Sequence, residues 1–549
     1  MSKNISELSG RKGLDKNLFE ELSRAAEENG TPDAEALERI RNEFLVGKST
    51  VFGTVSFYDF LKPENQGKKV YVCNGSACLC AGTQADLKNQ LLQYFEEKEI
   101  GEMCCLGRCH ENAAFWYNGR NYSGQDFKQL EDIKKLKING NEQYYVGHSG
   151  TPILTKNYGD PSNYFQILQK ALSSDVEQLL EELKSSGLRG RGGAGFPTAF
   201  KLDACRKEAA SQRFIVCNAD EGDPGAYSDR YIMEQRPYSL LMGMIIAGYI
   251  AGASRAVVYI RGEYPESVET VNLAIEWLRE HNFLGINILG SGFEFDIKVI
   301  KAQGAYICGE ETALLSSIEG QRPEVRIRPP FPTQKGLFNK PTVVNNVETL
   351  ANLPFIVENG GKAYAAIGTE KSSGTKLISL DSHFKRPGIY EVDMGTPLAF
   401  VVDKLGQGFK TKVKALHIGG PLGGLVPLQK INDLNVDFDS FSKAGFLLGH
   451  ASVVCIPEDF PIIKYIEHLF QFTAHESCGK CFPCRLGSTR GAELLETAIG
   501  GDFKIDRELF DDLITTMEMG SLCALGGGLP LPIRNALKYF EHELKQYFQ

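Results

Sequence analysis

The 549-residue sequence has no basic run, no internal repeat, no low-complexity segment and no apolar stretch long enough to span a bilayer. Each absence excludes something. With a net charge of −9 and no cluster of Lys and Arg, nothing here attracts nucleic acid. The longest apolar stretch, Leu240 to Ala253, is interrupted by glycines. It falls short of the roughly 20 residues that a spanning helix needs, so no direct membrane insertion is expected. Nothing resembles a signal peptide, so structural disulfides are not expected either. The expectation is a cytoplasmic protein, soluble or peripheral to a larger assembly. The 42% hydrophobic and 23% charged content are those of ordinary globular protein, and the length predicts three to five domains.

What is present in excess is cysteine, 14 in all, and the residues cluster. Cys478, Cys481 and Cys484 stand in AHESCGKCFPCR, and Cys523 follows in SLCALGG. A C-x2-C-x2-C run puts three thiolates on one tight loop, suiting three corners of a cubane, and a distant fourth can close it; this is [4Fe–4S] spacing. Structural zinc usually shows two separated C-x2-C pairs or added histidines, and His475, three residues before Cys478, leaves zinc open. A second set is Cys73, Cys78, Cys105 and Cys109, a C-x4-C and a C-x3-C separated by a long gap. Two loops with two thiolates each would hold a [2Fe–2S] rhomb, one pair per iron. Cys80 and Cys104 are left over, and spacing alone does not separate Cys104 from Cys105. A redox-inert thioredoxin-like domain with spare cysteines is the competing reading. Of the cysteines outside both sets, Cys217 and Cys308 are expected in apolar strands as core residues.

Apolar periodicity predicts helices between residues 16 and 60, a strand over Lys68–Cys73, a helix over Ala85–Phe95 and a strand over Ala113–Tyr117. The central region alternates strands (Phe214–Cys217, Ala256–Ile260) with helices (Leu241–Ala253, Val268–Glu280), which implies an α/β layer. GLRGRGGAGFPTAFK, from Gly187 to Lys201, is preceded by a helix and not by the strand of a Rossmann unit. Its glycines allow close backbone approach, and Arg189, Arg191 and Lys201 can balance phosphate charge. The strand at Phe214 runs into Asn218, Asp220, Glu221 and Asp223, polar groups at a strand's carboxyl end. GAYICGEETAL puts Glu310 and Glu311 at a strand-to-helix junction, and KPTVVNNVETL sets Asn345 and Asn346 ahead of a helix. Taken singly, these strings fit solvated turns and helix caps equally well.

Taken together, GLRGRGGAGFPT, CNADEGDPGAYSDR, GAYICGEETAL, KPTVVNNVETL and AHESCGKCFPCR resemble the NADH-oxidising flavoprotein subunit of the NADH dehydrogenase family. That subunit also serves as the diaphorase of NAD-reducing hydrogenases and NAD-dependent formate dehydrogenases. VFGTVSFYDFL, CNGSAC and CCLGRC resemble the thioredoxin-like [2Fe–2S] subunit of the same complexes, here fused in front. The resemblance implies a multidomain α/β protein. Its parts are an N-terminal helical segment with a thioredoxin-like ferredoxin domain (1–139), a linker (140–163), an FMN/NADH-binding domain (164–372), a ubiquitin-like β-grasp domain (373–457) and a C-terminal helical bundle carrying the [4Fe–4S] cluster (458–549). It favours Cys105 over Cys104, because the family pattern requires three residues before Cys109. It implies FMN held by Gly190, Arg191, Gly193, Lys201, Asn218, Asp220, Glu221, Tyr306, Gly309, Glu310, Asn345 and Asn346. NADH would use Phe196, Asp223, Glu311, Arg328 and Phe331, with Glu311 and Glu221 as the candidate catalytic residues.

Three positions depart from the family's usual residues: Asp223 for glutamate, Arg328 for lysine, and Ala204 for an aromatic ring. NADH remains the expected nucleotide, because acidic Asp223 and Glu311 should repel a 2′-phosphate. The implied activity is hydride transfer between NADH and FMN, with single electrons passing through both clusters to or from an iron–sulfur or catalytic subunit of a soluble hetero-oligomer. That complex is of formate dehydrogenase or hydrogenase type, and electron bifurcation is compatible with it. A fused subunit of respiratory NADH:quinone oxidoreductase is the nearest alternative. A non-catalytic electron-relay or scaffold subunit without nucleotide is the alternative of a different class.

Overall fold

The structure is a computed structural model that describes residues 13–14, 17–26, 31–124, 144–501 and 503–549. The expected boundary at 139/140 lies outside the described residues. The N-terminal sheet holds β1 (Val70–Cys73), β2 (Ile100–Met103), β3 (Phe115–Tyr117) and β4 (Arg120–Tyr122) in the order β2-β1-β3-β4. β1 runs parallel to β2 and antiparallel to β3. Its core is small: Val70, Val72, Leu87, Leu91, Phe95, Ile100, Phe115 and Tyr122. The helices ahead of it, Leu18–Ala26, Ala34–Phe44 and Lys48–Val55, follow the apolar periodicity. Their apolar faces turn elsewhere, however. Leu18, Phe19, Leu22, Ile40 and Val51 share a core with Phe214, Val216, Val257 and Leu314 of the next module. Tyr58, just past them, donates its hydroxyl hydrogen to Ser317 Oγ at 2.9 Å.

The next strand, β5 (Tyr145–Ser149), skips the neighbouring module and joins the third sheet. The central sheet is all parallel: β6 (Phe214–Ala219), β7 (Arg255–Ile260), β8 (Asp296–Lys301) and β9 (Thr342–Asn346), in the order β8-β7-β6-β9. Burial on both faces explains the unbroken apolar runs FIVC and AVVYI. The helix Pro237–Ala251 is buried along nearly its whole length. Gly243 lets it meet the next element backbone to backbone, since a Cβ there would stand 1.9 Å from the Leu350 carbonyl oxygen. Cys308, expected in a strand, lies in a single 3₁₀ turn, Tyr306–Gly309. β8 ends at Lys301 and the chain turns at Gly304 (φ +80°), so the apolar run AYIC packs as a turn.

The third sheet adds β10 (Thr375–Leu380), β11 (Gly388–Asp393), β12 (Val413–Ile418), β13 (Gly424–Pro427) and β14 (Ser452–Pro457), in the order β13-β12-β14-β10-β11-β5. Residues 145–149, within the segment expected to link, form its edge, paired in parallel with β11 from Tyr145↔Gly388 to Ser149↔Val392. Gly, Asn, Ser and Pro mark this segment as a loop by composition; the open edge of β11, more than 230 residues later, supplies partners that composition does not show. The helices Ile462–Glu476, Phe482–Ile499, Arg507–Gly520 and Pro530–Tyr539 pack on one another at the C-terminal end. Among the described residues no helix is long and apolar enough to cross a membrane.

Beyond β5 the chain is held by one carboxylate. Buried Glu391 accepts the N–H groups of Ile153, Leu154 and Thr155 at 2.8–3.1 Å and the hydroxyls of Thr155 and Thr375 at 2.6 Å. Glu391→Gln aims an amide N–H₂ at these donors. We expect a loss of about 1–3 kcal/mol and faster amide hydrogen exchange over residues 151–156, measured by mass spectrometry.

Candidate functional site

Both cysteine sets are assembled. Cys73 ends β1, Cys78 lies in the helix Ser76–Ala81, and Cys105 and Cys109 sit on the loop after β2. All four are buried, and the Cys105 and Cys109 sulfurs are 3.3 Å apart. Hydrogen bonding to Cys105 and burial push the Cys109 thiol well up. Cys78, Cys105 and Cys109 bond in a chain with Cys73, and Cys104 is outside it. Cys80 is buried too, and its thiol is pushed up by burial and by Asp381. Cys478, Cys481, Cys484 and Cys523 line one small cavity with Ile307, Val325, Leu522 and Leu525. Gly526 makes room for it, since a Cβ there would lie 2.6 Å from Cys484 Cβ. Burial raises Cys484 to about 11 and Cys523 to about 12. To ligate a metal these thiols must lose their protons, so binding there would release protons. His475 points to Asp59 (3.5 Å) and Lys62 (3.4 Å) and does not line the cavity. Ser477 and Lys480 also line it, with the Ser477 hydroxyl 3.4 Å from Cys484 Sγ and Lys480 donating to the Val325 carbonyl; the four sulfurs fit an iron–sulfur cubane.

Between the two sets lies the carboxyl edge of the central sheet. The glycine-rich loop is closed by Gly190 N–H donating to the Phe196 carbonyl (2.8 Å). Gly193 has φ +118°, and a Cβ on Gly192 would come within 3.0 Å of Asn346. Asn218 Nδ2 donates to the Gly309 carbonyl (2.8 Å), which ties β6 to the turn after β8. Asp220 Oδ2 and Asn345 Nδ2, and Nε and Nη1 of Arg191 on the glycine-rich loop, are buried without a protein partner. Burial pushes the Asp220 carboxyl well above the usual carboxylate range. Orphaned donors and acceptors beside a glycine cradle fit a polar, phosphate-bearing cofactor such as FMN.

Other predicted residues are taken up by the protein. Arg191 is fully buried and donates through Nη2 to Tyr364 Oη (3.0 Å) and the Ser373 carbonyl (2.6 Å). Glu310 caps the helix Glu311–Ile318, accepting the N–H groups of Thr312 and Ala313 at 2.9 Å. Glu221 does the same for the helix Ser228–Gln235, accepting N–H from Asp229 (2.9 Å) and Arg230 (3.0 Å). Burial and the Asp229 charge carry Glu221 to about 7. His450, from the third sheet's last connection, lies 3.2 Å from Asp229 and 3.8 Å from Glu221. Burial works against its charge, but these carboxylates carry it up to about 9. Asp229 also accepts from Asn346 Nδ2.

Glu311 is paired with Lys201 (3.1 Å) and Arg328 (3.0 Å), and Arg328 reaches Glu310 at 3.5 Å. The four charges cancel, so Glu311 alone does not repel a 2′-phosphate as expected from its acidity. Phe196 and Phe331 are 44% and 52% exposed, available to a planar ligand. Asp223 accepts from the Tyr306 hydroxyl (2.7 Å), and Tyr306 N–H donates to Glu476 Oε2 (2.8 Å), two residues before Cys478.

Four residues were missed. Phe200, 63% exposed, packs its ring on Phe196 at 5.6 Å, and the F-P-T-A-F spacing carried that signal. Arg261 follows β7, where the same strand-end rule applies as at Asn218. Asp229 and His450, 221 residues apart, give no local signal.

Three family profiles match. Residues 5–137 match the thioredoxin-like [2Fe–2S] ferredoxin, 183–355 the Nuo51 FMN-binding domain, and 464–547 the NADH-ubiquinone oxidoreductase-F iron–sulfur binding region. The chain is 40% identical over 412 residues to the F 2 subunit of NADH-quinone oxidoreductase of Rhizobium meliloti (strain 1021), covering 72% of this chain and 98% of that one. It is 40% identical over 386 residues to the HndC subunit of NADP-reducing hydrogenase of Solidesulfovibrio fructosivorans, covering 70% and 78%. A crystal structure of NAD+-reducing [NiFe]-hydrogenase in the H2-reduced state superposes with a TM-score of 0.85 at 29% identity, over 97% of this chain and 93% of that one. With FMN-binding, [4Fe–4S] and thioredoxin-like [2Fe–2S] regions in one polypeptide, the chain belongs to the NADH-quinone oxidoreductase F family of NADH-linked flavoproteins.

Proposed function

We propose that this chain is the diaphorase subunit of a soluble, cytoplasmic hetero-oligomer of hydrogenase or formate dehydrogenase type. It exchanges hydride with NADH and passes single electrons to or from a partner subunit. The observation that carries this reading is the Tyr306–Glu476 hydrogen bond, which makes the flavin-side turn and the Cys478 loop one connected unit. FMN, when bound, takes two electrons as hydride and releases them singly, and each cluster carries one. The orphaned atoms of Asp220, Asn345 and Arg191 would complete their hydrogen bonding on FMN, with Gly190, Gly193, Lys201, Asn218, Tyr306, Gly309 and Asn346 forming the cradle. Glu221 and Glu310 act as positioning residues, since their carboxylates hold helix N-termini. Phe196, Phe200 and Phe331 offer stacking faces for an adenine, and Asp223, Glu311 and Arg328 offer polar contacts to ribose and nicotinamide. Cys73, Cys78, Cys105 and Cys109 would hold the [2Fe–2S] cluster, and Cys478, Cys481, Cys484 and Cys523 the [4Fe–4S] cluster. We read residues 373–457, joined by β5, as a β-grasp domain and residues 458–549 as the cubane-bearing bundle. A hydrogenase-type complex is favoured because the fused arrangement is matched along 97% of this chain.

The function is tested by anaerobic titration of the reconstituted protein with NADH and, separately, NADPH, following flavin absorbance and cluster EPR together. Flavin bleaching by NADH with both cluster signals is expected; no bleaching by either nucleotide with FMN present would assign a relay subunit instead. Glu311→Gln weakens the pairs with Lys201 and Arg328. NADH oxidation should fall by about 10- to 100-fold in kcat/KM while FMN stays bound, and unchanged kinetics would remove Glu311 from the site. Cys105→Ser should abolish the [2Fe–2S] EPR signal, whereas Cys104→Ser should keep it.

A further inference from the structure

The loop Cys104–Cys109 belongs to the N-terminal module, yet the flavin domain makes three hydrogen bonds to it. Gly225 N–H, from the acidic loop after β6, donates to Cys109 Sγ at 3.2 Å. Arg261, at the end of β7, donates through Nη2 to the Cys104 carbonyl at 3.1 Å. Arg230 Nη1 reaches the Gly107 carbonyl at 3.4 Å. Arg261 is 2% exposed. Its other nitrogen, Nη1, donates to the Glu221 carbonyl, and Nη2 also pairs with Glu263 at 2.7 Å. One guanidinium therefore bridges the cysteine loop and the loop carrying Asp220, Glu221 and Asp223.

Resting on the cluster assignment above, we propose that Arg261 and Gly225 are positioning residues for the [2Fe–2S] site, through which the flavin domain raises the cluster's reduction potential. Reduction adds one negative charge to a thiolate-ligated cluster. An N–H donor to a ligand sulfur and a buried cation beside the ligand loop both stabilise the added charge. Glu263 offsets part of the Arg261 charge; Gly225 N–H reaches the Cys109 sulfur itself, and Arg261 holds the loop through the Cys104 carbonyl. Docking and electron affinity are thus the same interaction. A [2Fe–2S] module without the flavin domain against it would be the harder one to reduce.

The test is a potentiometric EPR titration of the full chain carrying both clusters, comparing wild type, Arg261→Met and Arg261→Lys. The [4Fe–4S] signal serves as an internal control. In Arg261→Met, the reduced-to-oxidised ratio of the [2Fe–2S] cluster at a fixed potential should fall about tenfold, equivalent to about 59 mV for a one-electron couple, with the [4Fe–4S] midpoint unmoved. Arg261→Lys keeps the charge but cannot span both carbonyls, so it should lie between the other two. An unshifted [2Fe–2S] midpoint in Arg261→Met, or an equal shift of both clusters, overturns the proposal. Should Arg261→Met lose the cluster, Arg261→Lys decides: a lowered midpoint supports the proposal and a wild-type midpoint overturns it. Absence of a [2Fe–2S] signal in wild type overturns the cluster assignment together with this inference.

Discussion

Glu476 accepts the backbone N–H of Tyr306 from the last turn of the helix that delivers Cys478, and Tyr306 in turn holds Asp223 through its hydroxyl. This short series of contacts sets where the cubane loop stands relative to the carboxyl edge of the central sheet. Burial and the nearby Asp59 raise Glu476 to about 7, so its place in a desolvated interior depends on these partners. A displaced Glu476 would release both the turn after β8 and the acidic loop after β6. The same edge is braced from the third sheet by His450, and from the N-terminal module by contacts to Gly225, Arg230 and Arg261. Three modules of different topology thus close on one strip of polar backbone.

That strip shows how a parallel sheet is put to use. Strands buried on both faces leave no side chain free for chemistry, so polar function collects where they end. Asn218, Arg261 and Asn346 stand at or just beyond three strand ends, and they spend part of their hydrogen bonding on the Gly309 turn, the Glu221 loop and the helix residue Asp229. Asp220, Asn345 and Arg191 keep buried polar atoms without a protein partner.

Much of this was legible in the sequence. Cysteine spacing marked the C-terminal set and all but one member of the N-terminal set, where the family pattern and not spacing chose Cys105 over Cys104, and the apolar runs marked the central strands because burial on both faces is local. Capping was harder to tell from ligand binding. Glu221 and Glu310 read as cofactor ligands, yet both carboxylates go to helix N-termini, and the same residue types serve either purpose. Partners distant in sequence left no trace at all. The Asp229–His450 contact spans 221 residues, and the pairing of β5 with β11 spans more than 230, so no window along the chain contains either. Phe200 and Arg261 are different: one stands four residues after another aromatic and the other ends an apolar strand, so pattern could have found both.

The parallel pairing of β5 with β11 has one more consequence. The segment that leaves the [2Fe–2S] module is sewn into the sheet formed by residues 375–457 before the chain reaches the flavin domain. The module is thus leashed close to its own docking face, and rebinding after any transient release is unimolecular. Its effective concentration is set by the covalent connection and not by how much protein is present. Dilution would therefore leave the occupancy of the Arg261 and Gly225 contacts unchanged, and electron sharing between the two ends of the molecule would be independent of protein concentration.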